Sequence, residues 1–170
     1  FGRRGLAAQY ERLLHSIRAL LQMEQAQPAG RLLDRAADAL AQQEDGVDPG
    51  LRVLLLSLRG RLAHLQGRPD AAAAAYAEAT ALDPLDGRTL LLLGDLQREQ
   101  GDIEEAGLTY ERAARVDGFE AQALLRRADL AVQQDAFADA VRILEAAYSF
   151  DPDPRISRYL EQVRRLADRP

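Results

Sequence analysis

The 170 residues carry 22 basic and 27 acidic side chains, a net charge of −5. That balance lacks the dense cationic face that phosphate binding requires, and argues against a nucleic-acid partner. Cysteine is absent, which excludes a disulfide framework and a thiolate site; no apolar run approaches the ~20 residues of a membrane helix.

Hydrophobic residues make up 47% of the chain, but aromatics only 5% and Trp none. A core must therefore be built from Ala and Leu. Strong helix formers dominate, and no stretch alternates β-branched or aromatic residues, so the chain reads as all-α. All 22 basic residues are Arg, with neither Lys nor Asn present; this bias fits a GC-rich, bacterial coding sequence. A first residue of Phe1 in place of Met predicts a fragment or processed form. Were a membrane span to precede it, Arg3 and Arg4 would favour cytoplasmic placement by the positive-inside bias.

In chain order, Leu6, Tyr10, Leu13, Leu14, Ile17, Leu20 and Leu21 have helical spacing and predict an amphipathic helix over 6–23. Pro28-Ala29-Gly30 reads as its break. Leu32, Leu33, Ala36, Ala37 and Leu40 then mark a second helix, ending before Asp45-Gly46. Residues 1–52 thus form a degenerate helix pair, and Asp48-Pro49 opens a regular region.

From there the chain repeats with a period of 34 residues. Gly60, Gly94 and Ala128 hold one register. Tyr76, Tyr110 and Leu144 hold another. Ala72, Ala106 and Ala140, and Ala79, Ala113 and Ala147, hold two more. Leu56, Leu90 and Leu124 recur likewise, and each unit closes on Asp83, Asp117 or Asp151. Three units follow, 53–86, 87–120 and 121–154. Small residues at fixed places predict close helix crossings, and the bulky ones the filling between adjacent units. Pro84 and Pro152 cannot continue a helix and push the preceding Asp towards extended angles. Ile156, Tyr159, Leu160, Val163 and Leu166 predict a last amphipathic helix within 155–170, rich in charge as a solvating cap should be.

This pattern resembles the tetratricopeptide repeat family. The residues that carry the likeness are Leu56/Gly60 and Leu90/Gly94, the mid-unit Gly67 and Gly101, the Ala-x-x-x-Tyr-x-x-Ala of the second helices, and the closing Asp-Pro. Leu in place of a large aromatic early in the first helices departs from it, as do Ala128 and Asp135 where glycines are expected. The resemblance implies a right-handed α-α superhelix, a solenoid of about nine helices.

Nothing in the sequence composes a catalytic or metal site. His15 and His64 lie in different helices without ligand spacing, the four Ser residues have no nucleophile context, and the Gly signals follow no strand. Acidic clusters such as Glu44-Asp45 and Glu104-Glu105 fall at helix ends, where dipole and solvation explain them. We therefore expect no catalysis and no cofactor or metal.

In a repeat stack of this kind the first helices line a concave, partner-binding face. By resemblance the binding residues here are Arg61, His64, Leu91, Leu92, Asp95, Arg98, Leu125, Arg126 and Asp129, with Ser57 and Val132 beside them. The expected partner is a protein or peptide of mixed charge, because Asp95 and Asp129 offset Arg61, Arg98 and Arg126. Leu91, Leu92 and Leu125 stand either as an exposed patch or as surface covered by the neighbouring repeat. The family's clamp for chaperone tails uses Lys, Asn and Arg. Ser57, Arg61, Leu92, Gln122 and Arg126 occupy those positions, and only Arg126 keeps the chemistry. A chaperone-tail receptor is therefore not expected. The alternative is a structural module that forms a homodimer through the 6–23 helix or the cap.

Overall fold

The structure, a computed structural model, describes residues 2–42 and 48–168, with side chains from residue 8 onward. Phe1, Glu44, Asp45 and Gly46 lie outside the described residues, as do the side chains of Arg3, Arg4 and Leu6. Among the described residues there are nine helices and no strand. They divide into two compact units, 1–84 and 85–170.

The first unit holds α1 (Gly2–Gln22), α2 (Ala26–Ala41), α3 (Pro49–Leu65) and α4 (Pro69–Leu82). Leu14, Ile17 and Leu21 of α1 bury against Leu33, Ala36 and Leu40 of α2 and Leu55 and Leu58 of α3. The break between the first two helices is not at Pro28-Ala29-Gly30. It comes at Met23–Gln25, where Glu24 takes φ +57°, and Pro28 falls within the first turn of α2. A proline there is harmless, since first-turn amides have no partner inside the helix. Asp48 caps α3, accepting from the Gly50 amide at 2.7 Å, with Pro49 at the first helical position.

The second unit holds α5 (Gly87–Gln100), α6 (Ile103–Ala113), α7 (Glu120–Gln133), α8 (Phe137–Phe150) and α9 (Pro154–Ala167). Its core is Leu90, Leu96, Ala106 and Tyr110 at one end and Ala128, Ala140, Leu144 and Val163 at the other. The charged cap expected at the C-terminal side is α9, which buries Ile156, Leu160 and Val163.

The small-residue registers are crossing points. Ala72, Ala79, Ala106, Ala113, Ala140 and Ala147 are all fully buried. A Cβ on Gly60 would come within 2.4 Å of the Tyr76 ring, and one on Gly94 within 2.4 Å of the Tyr110 ring. These rings therefore fill the crossing inside each helix pair, α3–α4 and α5–α6, and Tyr110 also shares a buried cluster with Ala123 and Leu130 of the following unit, where the sequence places its bulk. Asp83 and Asp151 adopt extended angles ahead of Pro84 and Pro152, as the pre-proline restriction demands. Where Gly67 and Gly101 supply a positive φ after the first helices of the first two pairs, Asp135 takes φ +56° in the third.

Candidate protein-interaction face

The predicted residues fall in both units, each taken by itself. Arg61 and His64 stand half-buried on α3 in the first unit. Leu91, Leu92, Asp95 and Arg98 stand on α5, and Leu125, Arg126 and Asp129 on α7, in the second. Leu91 is buried, whereas Leu92 and Leu125 are half-buried, so a partial apolar surface remains between the charges.

In the second unit the charged positions are brought together as a ladder. The Asp95 carboxylate accepts from Arg126 Nε at 2.8 and 3.1 Å and from the Tyr110 hydroxyl at 2.6 Å. One period further along the chain, Asp129 accepts from the Tyr159 hydroxyl of α9 at 2.7 Å and faces Arg98 of α5 at 4.0 Å. Each aspartate thus ties its own first helix to a neighbouring one. Burial, and then the hydrogen bond to Asp95, pushes the Tyr110 hydroxyl well above its ordinary pKa. Tyr159 is raised by the same two causes, with Asp129 as the acceptor. Both phenols stay protonated donors at any physiological pH.

The two tyrosine hydroxyls that bond Asp95 and Asp129 are not among the residues the sequence assigns to the face. Tyr110 read as bulk, and Tyr159 as one apolar position of the cap. The signal that could have found Tyr110 is the pairing of Asp95 on a first helix with a tyrosine on the following helix, absent from the first unit, where Arg61 takes the aspartate's place in the period.

Arg98, Glu99, Asp129, Val132, Gln133 and Tyr159 line a cleft of about 440 Å³. Arg98 keeps 30% of its side chain exposed there and Asp129 42%, so both can meet a ligand. Arg126 is more committed, because Nε is held by Asp95 and Nη1 lies 3.4 Å from the Gln122 carbonyl. Among the described residues no group of three or more His, Asp or Glu is placed to hold a metal ion. Among them, too, no helix is long and apolar enough to cross a membrane. His15 is an exposed helix-surface residue with Nδ1 2.8 Å from the Glu11 carbonyl.

The tetratricopeptide repeat model matches residues 57–117 and 91–154, together more than half of the chain. The chain belongs to the tetratricopeptide repeat family. No curated protein matches it in sequence. Among solved structures it is similar to BtubC (BKLC) from P. vanneervenii, with TM-score 0.79 and 20% identity over 96% of this chain and 78% of that one. It is similar to PilF of Pseudomonas aeruginosa, with TM-score 0.77 and 18% identity over 94% and 69% of the two chains. The TPR2B domain of yeast Sti1, solved as a pHsp70 complex, aligns with TM-score 0.59 and 21% identity over 69% of this chain and 96% of that domain. At these identities the likeness is one of fold, an all-α helical-repeat solenoid. Tetratricopeptide repeats are in general protein-interaction scaffolds.

Proposed function

We propose that the chain is a non-catalytic adaptor that holds a protein or peptide against the inner positions of α5 and α7. The observation that carries this reading is the open cleft at the end of the ladder. There Arg98 and Asp129 present opposite charges beside Val132 and the Tyr159 ring, still partly exposed. Opposite charges set side by side favour a ligand of mixed charge over a purely acidic tail. Arg126 supports the same conclusion, because the one clamp-type cation retained is already paired with Asp95. A similar fold, the first TPR of Spaghetti (RPAP3), is bound to an HSP90 peptide, which supports a peptide ligand for this fold. Arg61 and His64 offer a corresponding inner surface on α3, which we propose as a contact surface of the first unit in its own right.

The competing dimer reading draws no support from packing. The apolar stripes of α1 and α9 are spent inside their own units, Leu14, Ile17 and Leu21 in one and Ile156, Leu160 and Val163 in the other.

Affinity capture with the wild-type chain and with the double variant Arg98→Ala, Arg126→Ala tests the proposal. Partly exposed ion pairs contribute little stability, so the variant should keep its helicity and melting temperature. Its captured partner should be lost. Capture that persists undiminished would place the partner elsewhere.

A further inference from the structure

Most of α9 serves as a cap. Ile156, Leu160 and Val163 bury, and Arg164 donates to Glu145 at 2.6 Å. Tyr159 has a further contact. Its ring packs against the cluster of Ala128, Leu144 and Val163, and its hydroxyl donates to Asp129 Oδ1 at 2.7 Å. Tyr159 also lines the cleft that Arg98 and Asp129 share.

The period shows that this bond stands in for donors the repeat has lost. In the pair α5–α6, Asp95 takes a phenol from Tyr110 on the second helix of its own pair. One period on, Asp129 occupies the register of Asp95, but Leu144, in the register of Tyr110, has no hydroxyl. The other donor to Asp95 is Arg126, whose register in α9 holds Leu160, again without a donor. Both donors are therefore missing at Asp129, and Tyr159, beside Leu160 in the chain, supplies a phenol from another helix. The same phenol–carboxylate bond reached by two routes indicates a demand made by the aspartate.

A phenol meets that demand in a particular way. It fixes one carboxylate oxygen without cancelling the charge, as a guanidinium would. With Oδ1 taken by Tyr159, Oδ2 faces Arg98 at 4.0 Å, longer than a hydrogen bond. Asp129 keeps 42% of its side chain exposed. Its carboxylate is thus tethered, charged and open on one side. An untethered aspartate samples several χ1 rotamers, and ordering it on binding costs affinity.

We propose that Tyr159 is a positioning residue: it locks the Asp129 carboxylate in the cleft, which makes the capping helix part of the recognition site. What the cleft binds rests on the adaptor reading above, whereas the locking is a property of the free chain.

The test reads the Asp129 side chain directly. In ¹³C,¹⁵N-labelled chain, the three-bond couplings from Asp129 Cγ to its backbone nitrogen and carbonyl carbon report χ1. The wild type should give the couplings of a single rotamer. Tyr159→Phe keeps the ring and removes the hydroxyl, and should give averaged couplings at Asp129 while Asp95 stays fixed. Val163→Ala loosens the packing of α9 without touching the bond; it should lower the melting temperature and leave Asp129 in its single rotamer. That comparison separates positioning from cap packing. In the affinity capture described above, Tyr159→Phe should reduce the retained protein by about three- to tenfold, the size expected when one side chain must be ordered on binding. Val163→Ala should retain it. A single Asp129 rotamer in Tyr159→Phe would overturn the proposal, as would averaged couplings with undiminished capture. Should the wild type capture nothing, the adaptor reading fails, and the couplings still decide whether Tyr159 holds Asp129.

Discussion

Gly94 and Tyr110 compete for one volume: a Cβ on the glycine would lie 2.4 Å from Tyr110 Cε1, so the ring sits where it does because residue 94 has no side chain. Gly60 and Tyr76 repeat the relationship at the same 2.4 Å. The third pair meets the same demand differently, with Ala128 on the first helix and the shorter Leu144 on the second, both fully buried. Gly94→Ala should therefore cost about 1–3 kcal/mol by overpacking. Adding Tyr110→Leu should recover part of that loss, reproducing the Ala128/Leu144 solution. In a urea-denaturation cycle the coupling should be about 0.5–3 kcal/mol in favour of the double variant. Strict additivity would show that the two residues do not share the crossing.

The crossings were legible because they recur. Three copies of a small residue followed by a bulky one cannot hide in a sequence with a 34-residue period. The crossing partner of each ring was not legible, since the period alone does not say that Tyr110 lies against Gly94 of its own α5 as well as against the next unit. The start of α2 was misplaced for a related reason. Pro28 and Gly30 carry a breaker's chemistry, but a first-turn proline is compatible with a helix, and the turn is made by Glu24 at positive φ. Among the predicted residues the aspartates were visible and their tyrosine donors were not, because Tyr110 and Tyr159 each do two jobs, apolar ring and polar tip, and periodicity reports only the first.

Asp135 holds φ +56° where the first two pairs use glycine, and it places a carboxylate at the negative end of α7. Asp135→Gly should raise stability by about 1 kcal/mol by relieving the left-handed backbone. A thermal melt checks this, and a lowered melting temperature would contradict it.

Asp153 caps α9, accepting from the Arg155 amide at 2.7 Å and from the Arg155 guanidinium. Those bonds, the side-chain one first, hold its carboxyl down to about 2, against an ordinary 3.8. Because the folded value is depressed, the cap's contribution is complete above the unfolded pKa and is lost as pH falls from about 4 towards 2. A ¹³C NMR titration of the Asp153 carboxyl should give a midpoint near 2 in the wild type. In Arg155→Ala the midpoint should move back towards the ordinary value. A midpoint unmoved by that change would assign the shift to something other than Arg155.

Site-specific photo-crosslinking at Val132, in the cleft beside Arg98, Asp129 and Tyr159, tests the inner-face assignment most directly. With p-benzoylphenylalanine at 132 and irradiation in cells of the source organism, a discrete adduct with another protein should form. That adduct should vanish when Arg98→Ala and Arg126→Ala are added to the same chain. An adduct that survives both changes, or none at 132 while the same label at the exposed Gln100 captures a partner, would contradict it.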